Sequence, residues 1–292
     1  MPAEPTQTAD TADTADTADT AGAADSGGAV YTHGHHDSVL RSHRTRTVAD
    51  SAAYLAPHLR TGMTLLDVGC GPATITVELA ERVAPGRVSA TEINDAALDI
   101  ARREVAARGR DNVDLQVADV HALPFDDDTF DIVHAHQVLQ HVGDPVRALA
   151  EMRRVCRPGG LVAARDADYA AFTWWPEIPE LDEWLRLYRL AARRNGGEPD
   201  AGRRMLAWAH AAGFTDVTPT TSTWCRATPA QREAWGGMWA ERVLHSDLAR
   251  QLIRDGDADE AQLQAISAAW RAWVQEPDGW FALLHGEILC RA

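Results

Sequence analysis

The chain contains no lysine, so all 28 of its basic residues are arginine. Ordinary pyridoxal-phosphate enzymes and P-loop proteins each need a lysine amine, and both classes are therefore excluded. Cysteine is also scarce, and its spacing matches neither a disulfide framework nor a zinc site. The four cysteines are Cys70, Cys156, Cys225 and Cys290. We expect free thiols in a reducing, cytoplasmic compartment.

Long apolar runs and clustered positive charge are absent as well. We expect no membrane-spanning segment, and the first residues lack the basic and apolar regions of a secretory signal. The net charge of −15 argues against a nucleic-acid substrate, because phosphate binding needs clustered basic residues. With 45% hydrophobic and 24% charged residues, the composition is typical of a soluble globular protein.

Between Met1 and Val30 the chain has no large apolar side chain. Thr-Ala-Asp repeats occupy residues 8–19. Such a segment cannot bury enough apolar surface to offset the entropy of ordering it. We expect residues 1–30 to be a solvated tail without a role in activity.

The most informative segment is an apolar run that ends in glycines. Residues 65–68 have a strand pattern, Gly69 and Gly71 follow, and a helical pattern begins near Ala73. Glycines allow the backbone to approach a ligand closely, and the free N–H groups at a helix start favour an anionic group. This strand, turn and helix indicate a site for a nucleotide-like cofactor.

Three further apolar runs follow, and two of them lead into an acid. Residues 87–92 end at Glu92, which lies 25 residues after Asp67. That spacing is close to the separation of about 20 residues that is usual for a ribose-binding carboxylate. Residues 113–118 lead into Asp119, which is placed to meet a base edge, and residues 130–135 form a fourth run. Helical patterns between strands predict a parallel sheet whose ligands bind beyond the carboxyl ends of the strands.

These motifs, in this order, resemble the class I S-adenosylmethionine-dependent methyltransferases, in particular the small-molecule enzymes of the ubiquinone/menaquinone-biosynthesis type. Residues 67–72 resemble the glycine motif of the family, residues 117–125 its adenine-side motif, and residues 130–141 its fourth-strand motif. Arg157-Pro158-Gly159-Gly160-Leu161 is similar to the turn before its fifth strand. Ala73 stands where many members have a third glycine.

The resemblance implies S-adenosylmethionine as the cofactor and covers about residues 31–222. The residues that it assigns to the cofactor are Asp67, Gly69, Gly71, Glu92, Ile93, Asp119, Val120, His136 and Gln137. Glu92 is expected to hold the ribose and Asp119 to face the adenine.

The fold class expected is α/β, with a Rossmann-like seven-stranded, mostly parallel sheet, helices on both faces and a helical cap. We expect an N-terminal helical lid at 31–60 and a cofactor-binding core at 61–225 with an aromatic insertion at 167–200. A cap at 226–279 and a last core strand at 280–292 follow.

The predicted lid begins with a cluster of histidines. His33, His35 and His36 are too close together for an undistorted three-ligand metal site, so we expect no metal. In the resembling family an N-terminal helix closes over the methionine end of the cofactor. Tyr31, His36 and Arg46 are therefore expected to contact the cofactor carboxylate, and an ordinary surface helix is the alternative.

Two aromatic segments lie where an acceptor should bind. Tyr169, Trp174 and Trp175 follow the fifth predicted strand and are expected to contact the substrate. The cap carries tryptophans at helical spacing, a pattern more typical of a packed core than of a ligand site. They are Trp235, Trp239, Trp270 and Trp273. We expect a small, apolar or aromatic acceptor that is methylated on oxygen or nitrogen, and a homodimer remains open.

Methyl transfer needs a general base only if the acceptor carries a proton on the reacting atom. His141 and Asp166 follow or end predicted strands and are the candidate catalytic residues, with His141 favoured because an imidazole titrates near neutral pH. The alternative for His141 is a structural contact at a helix terminus.

Two other functions fit part of the pattern. A nicotinamide-dependent oxidoreductase would share the glycine turn and the acid, but Thr74 stands where its last glycine should fall. A protein that binds S-adenosylmethionine without methylating anything is the other alternative, since fold does not fix function.

Overall fold

The predicted strands pair into one eight-stranded sheet in a computed structural model that describes residues 46–292. The strands are β1 (Leu65–Val68), β2 (Val88–Glu92), β3 (Val113–Val117), β4 (Phe130–His136), β5 (Cys156–Ala167), β6 (Thr173–Trp175), β7 (Asp216–Arg226) and β8 (Trp280–Arg291). The first five are mutually parallel in the order β3-β2-β1-β4-β5. β8 runs antiparallel beside β5 and carries β7 on its other edge. This arrangement confirms the expected mostly parallel sheet, and the short β6, which pairs with the start of β8, is an addition.

Ten helices connect and cover these strands in the described part of the chain. They are α1 (Val48–Ser51), α2 (Thr74–Val83), α3 (Asp95–Ala107), α4 (Pro145–Val155), α5 (Pro179–Arg194), α6 (Met205–Ala211), α7 (Pro229–Arg232), α8 (Met238–His245), α9 (Asp247–Arg254) and α10 (Glu260–Gln275). Single turns of 3₁₀-helix occupy Ala56–His58, Leu139–His141, Tyr169–Ala171 and Ala201–Arg204, and a π-helical turn occupies Glu233–Gly237. Of the segment predicted as a helical lid, the described part therefore holds one short helix and one 3₁₀ turn.

Alternate residues of β1 pack against helices on opposite faces of the sheet, because successive side chains of a strand point in opposite directions. Leu65 packs in a buried cluster with Leu79 of α2 and Val48 of α1. Leu66 packs in a second buried cluster with Met152 of α4. The sheet is thus covered on both faces, and the carboxyl ends of β1, β2, β4 and β5 are left at one edge for ligands.

The cap is built around tryptophans, as their helical spacing predicts. Of the four tryptophans at helical spacing, Trp239, Trp270 and Trp273 are fully buried and Trp235 is half-buried, and the fully buried Trp184 of α5 joins them. Trp184 meets Trp239 and Trp270 edge to face, with ring centroids 4.6 Å and 4.9 Å apart. Edge-to-face contacts of this kind stabilise a core beyond the area that they bury. The stripe is buried within one chain, and the homodimer stays a prediction.

One helix expected between strands does not form. Residues 118–129, which connect β3 to β4, are turns and coil. Pro124 lies in the middle of this connection and cannot donate a helical hydrogen bond. Arg154 of α4 instead fixes the loop by donating to the carbonyl oxygens of Leu123 and Phe125.

Across residues 46–292, no helix combines the length and the apolar character that crossing a membrane would require.

Candidate cofactor and acceptor site

The loop after β1 takes three left-handed backbone conformations. φ is +65° at Gly69, +55° at Gly71 and +63° at Ala73. A Cβ atom on Gly69 would lie 2.5 Å from Cγ2 of Val138, so glycine is required there by space as well as by φ. A Cβ on Gly71 would meet nothing within 4 Å, which leaves room for a ligand over this residue. Ala73 is buried and adopts the left-handed conformation that a glycine would favour. Alanine in place of the third glycine is therefore compatible with this loop path.

The acid at the end of β2 is joined to this loop. Glu92 accepts hydrogen bonds from the N–H of Gly71 at 2.7 Å and from the N–H of Ile93 at 3.1 Å. The side chain of Ile93 is 61% exposed, although it is large and apolar. Asp119 presents an exposed carboxylate after β3, and Val120 beside it is buried. These are the kinds of groups expected at such a site. An acid such as Glu92 can bind the ribose hydroxyls. An apolar side chain such as Ile93 can cover the adenine ring, and a second acid such as Asp119 can accept its amine.

Asp67, expected to shape the cofactor pocket, is engaged inside the protein. Its Oδ1 lies 2.8 Å from Nδ1 of His134, and its Oδ2 accepts from Thr76 Oγ1 at 2.6 Å. All three side chains are buried. Asp67 therefore fixes β1 to β4 and to the start of α2, which positions the glycine loop. The partner His134 lies 67 residues away and gave no signal in the sequence.

Gln137, the residue after β4, is hydrogen-bonded to Arg46, which is also a predicted cofactor residue. Gln137 has φ +55°, and its Oε1 accepts from Nη2 of Arg46 at 2.5 Å. Its Nε2 lies 3.0 Å from Nε2 of His285, whose Nδ1 lies 3.0 Å from the carbonyl oxygen of Leu283. Since a carbonyl only accepts, Nδ1 of His285 carries the proton, and its Nε2 accepts from the Gln137 amide. Arg46 is thus held against the fourth-strand motif, as a residue near the cofactor would need to be.

A buried polar row crosses the sheet next to this position. His136, Arg165 and Glu287 are partners in register on β4, β5 and β8. Arg165 is fully buried, and its Nε donates to Ser222 at 3.0 Å and to Glu287 at 3.2 Å. Burial lowers the pKa of Arg165 to about 10, so it remains a cation at neutral pH. Its guanidinium carbon lies 4.7 Å from the ring centre of Trp224. Apart from His136, sequence reasoning missed this row.

The two candidate bases lie near the turn that follows β4. His141 ends this turn, and Asp166 lies near the end of β5. Asp166 is fully buried and accepts from the N–H of Gln140 at 3.0 Å. Burial raises the pKa of Asp166 to about 7. The Gln140 side-chain nitrogen lies 2.9 Å from Nε2 of His141, and burial lowers the pKa of His141 to about 3. His141 is therefore neutral but weakly basic near pH 7, and Asp166 matches that pH better.

The three predicted substrate residues differ in their surroundings. Tyr169 is buried and stacks on Tyr188 with ring centroids 4.1 Å apart. Trp174 stacks on Phe281 at 5.5 Å, whereas Trp175 is 57% exposed. The first two residues pack in the cap core, and substrate contact stays a prediction for all three. Tyr31 and His36, the other predicted lid residues, lie outside the described residues.

A family model described as a methyltransferase domain matches residues 59–233, which include the glycine loop, Glu92, Asp119 and the polar residues of β5. The chain belongs to the class I S-adenosylmethionine-dependent methyltransferases. S-adenosylmethionine is accordingly its cofactor.

The relatives of this methyltransferase agree with that assignment. It is 34% identical over 270 residues to an uncharacterized methyltransferase of Schizosaccharomyces pombe, covering 89% of this chain and 95% of that protein. It is 42% identical over 106 residues to the ubiquinone/menaquinone biosynthesis C-methyltransferase UbiE of Idiomarina loihiensis, covering 36% of this chain and 42% of that protein. The crystal structure of the YcgJ protein of Bacillus subtilis matches this fold with a TM-score of 0.56 at 19% identity, covering 82% of this chain and 96% of that one.

The residues of this methyltransferase fit the cofactor. Gly71 leaves open space above the loop, and Glu92 offers a carboxylate at the place expected for the ribose. The exposed side chain of Ile93 offers an apolar surface on which an adenine ring could lie. The roles of the individual residues remain predictions, and the family assignment favours methyl transfer over the nicotinamide alternative.

Proposed function

We propose that this enzyme methylates an oxygen or nitrogen atom of a small apolar or aromatic metabolite by in-line displacement. The observation that carries the proposal is the buried cluster of rings beside the polar row. Trp224 lies 5.8 Å from the ring of His136 and 4.5 Å from the ring of His285. An indole surrounded by groups that can hydrogen-bond suits a flat acceptor with a polar substituent.

The cofactor is proposed to lie across the ends of β1, β2 and β3. Glu92 would hold the ribose, Ile93 and Val120 would lie beside the adenine, and Asp119 would accept its amine. Arg46 and Gln137 would lie toward the methionine end. When bound, S-adenosylmethionine supplies an electrophilic methyl group, so the protein chiefly has to orient a nucleophile and exclude water.

The chain's own contribution to chemistry is proposed to be proton removal by Asp166. A hydroxyl or ammonium acceptor loses a proton as it becomes a nucleophile, and a carboxylate with a pKa of about 7 is half ionised at neutral pH. The Oδ2 atom of Asp166 has no hydrogen-bond partner within the part of the chain that the structure describes. We propose that this oxygen takes the proton of the acceptor, and the variant Asp166→Asn tests that step.

The proposal places the enzyme in the cytoplasm with a small molecule as its partner. Its free cysteines among residues 46–292 suit a reducing compartment, and its net charge of −15 disfavours nucleic acid.

A transfer screen tests the proposal. The full-length chain is incubated with S-adenosylmethionine carrying a trideuterated methyl group and three acceptor pools: substituted phenols and anilines, aliphatic alcohols and amines, and a structured RNA. We expect the mass label to appear in the phenol or aniline pool and to be lost in the variant Asp166→Asn. Label confined to the RNA, or no label in any pool while cofactor binding is intact, would contradict the proposal.

A further inference from the structure

The guanidinium of Arg165 is only partly used by the protein. Its Nε donates to Ser222 and Glu287, but its Nη1 and Nη2 atoms are buried and have no hydrogen-bond partner within residues 46–292. Buried polar atoms in native proteins are almost always paired, so two unpaired donors on a buried cation indicate a missing partner. Because Nε is occupied, the free donors are the end pair, which can bind the two oxygens of one carboxylate in parallel.

A second unpaired side chain lies beside it. His136 is the register partner of Arg165 on the adjacent parallel strand, so the two side chains share one face of the sheet. The ring of His136 is buried, and neither of its nitrogens has a hydrogen-bond partner in the described chain. Burial, with the charges of Arg46 and Arg165, lowers the pKa of His136 well below its ordinary value. A neutral imidazole still offers one N–H donor.

The local charges favour an anion as the missing partner. Three guanidinium carbons lie near the Trp224 ring centre, at 4.7 Å for Arg165, 5.2 Å for Arg226 and 5.6 Å for Arg46. Glu287 is in direct contact with Arg165, and Asp50 and Asp166 interact with it at longer range. The guanidinium groups around the ring therefore make an anion the favoured partner for the end donors of Arg165.

We propose that the methyl acceptor carries a carboxylate, which binds to Nη1 and Nη2 of Arg165 with a third hydrogen bond from His136. This inference rests on the proposed function, since it names the substituent by which the acceptor is recognised. Arg165 and His136 lie at the ends of β5 and β4, next to Gln137 and the predicted methionine end of the cofactor. The carboxylate would thereby orient the acceptor, with its nucleophilic atom directed toward the cofactor.

Calorimetry with simple ring compounds tests the inference. The full-length protein is saturated with S-adenosylhomocysteine and titrated with benzoate, benzamide and phenyl phosphate. Benzamide has the shape of benzoate without its charge, and phenyl phosphate carries a second charge. We expect benzoate to bind at least about tenfold more tightly than benzamide and more tightly than phenyl phosphate.

A paired variant identifies the residue responsible. Arg165→Met combined with Glu287→Gln removes the ion pair without leaving a buried charge unpaired. This double variant should bind benzoate and benzamide equally while keeping its affinity for S-adenosylhomocysteine. The control is Arg87→Met with Asp114→Asn, which removes an exposed ion pair that joins the residue before β2 to β3 and should retain the preference.

Each outcome has a definite meaning. Equal binding of benzoate and benzamide by the native chain, no measurable binding of benzoate, or tighter binding of phenyl phosphate would overturn the inference without any variant. A preference that survives in the Arg165 double variant would also overturn it. These results leave the proposed function standing as long as S-adenosylhomocysteine binds, whereas a native chain that does not bind S-adenosylhomocysteine overturns both.

Discussion

The carboxylate of Glu92 accepts the backbone N–H of Gly71 at 2.7 Å, so the acid that ends β2 and the glycine loop that follows β1 form one connected unit. The bond joins residues 21 positions apart and holds the loop in its left-handed conformation. A change at Glu92 is therefore expected to affect both the ribose contact and the loop.

Glu92→Ala should weaken binding of S-adenosylmethionine by about 1.5–3 kcal/mol, because charge-assisted hydrogen bonds are lost. Glu92→Gln keeps one acceptor oxygen and should lose less. Isothermal titration of both variants with S-adenosylhomocysteine measures the difference. If the alanine variant bound as tightly as the native chain, Glu92 would not be the ribose acid.

The two glycines of the loop should respond differently to alanine. Gly69→Ala places a methyl group 2.5 Å from Val138 Cγ2 and should lower both the melting temperature and cofactor affinity. Gly71→Ala meets no protein atom within 4 Å and carries only the left-handed backbone cost of about 1–2 kcal/mol. It should stay folded but lose affinity, because its methyl group enters the space proposed for the cofactor. Thermal unfolding with and without S-adenosylhomocysteine separates the two effects, and identical behaviour would contradict this view of the loop.

The buried carboxyl of Asp166 should make stability depend on pH. Its pKa is about 7 in the folded state and 3.8 when unperturbed. Between these values the folded chain holds a proton that the unfolded chain has released, so the free energy of unfolding falls as pH rises from about 4 to 7. Each unit of pKa difference contributes about 1.4 kcal/mol.

Asp166→Asn removes that titration while keeping an acceptor for the Gln140 N–H. Urea unfolding at several pH values should show that the native chain loses stability relative to this variant as pH rises. His141 titrates with the opposite sign, and the comparison at each pH cancels its contribution because both chains contain it. A constant difference between the two chains would show that Asp166 is already ionised at pH 4.

Turnover should depend more on Asp166 than on His141. With a protonated acceptor, Asp166→Asn should lower kcat by about 10²–10⁴-fold, the range usual for a general base. His141→Gln should lower it by less than about tenfold, since an imidazole with a pKa of about 3 is a weak base. The native rate should rise with pH through about 7 as Asp166 ionises. An equal or larger loss in the His141 variant would reverse the assignment.

The tryptophan cluster should matter for stability and little for the cofactor. Trp270 is fully buried, and Trp270→Ala should lower the free energy of unfolding by about 3–5 kcal/mol. Affinity for S-adenosylhomocysteine should stay within about twofold, because the cluster is separate from the glycine loop. Trp280→Ala is the control, since Trp280 is 40% exposed and should cost much less. A large rise in the acceptor KM with little loss of stability would instead make Trp270 part of the acceptor site.

The sequence predicted what depends on local pattern. The first five expected strands and the last one form, because alternating or continuous apolar runs specify them. The left-handed turn at Gly69 and Gly71 and the acid at Glu92 follow from motifs whose geometry is set within a few residues. Pro124 is the signal in the sequence that no helix joins β3 to β4, because it cannot donate a helical hydrogen bond.

The polar row could not be predicted, because its contacts join distant parts of the chain. Arg165 and Glu287 are 122 residues apart, and Gln137 and His285 are 148 apart. Each of these residues is an ordinary polar residue within its own strand or turn. Only the antiparallel register of β8 against β5 brings them together, and that register depends on pairing across the whole sheet.

The position of β8 also sets an order of assembly. The strands that carry the cofactor residues, β1 to β4, come from one continuous run of 72 residues, 65–136, and pair only with one another and with β5. The acceptor side forms only when residues 280–291 insert between β5 and β7. Such distant pairings are entropically slow to close. During synthesis, the nucleotide half can therefore organise on the ribosome, while the proposed acceptor side waits for β8, which emerges after the other seven strands described.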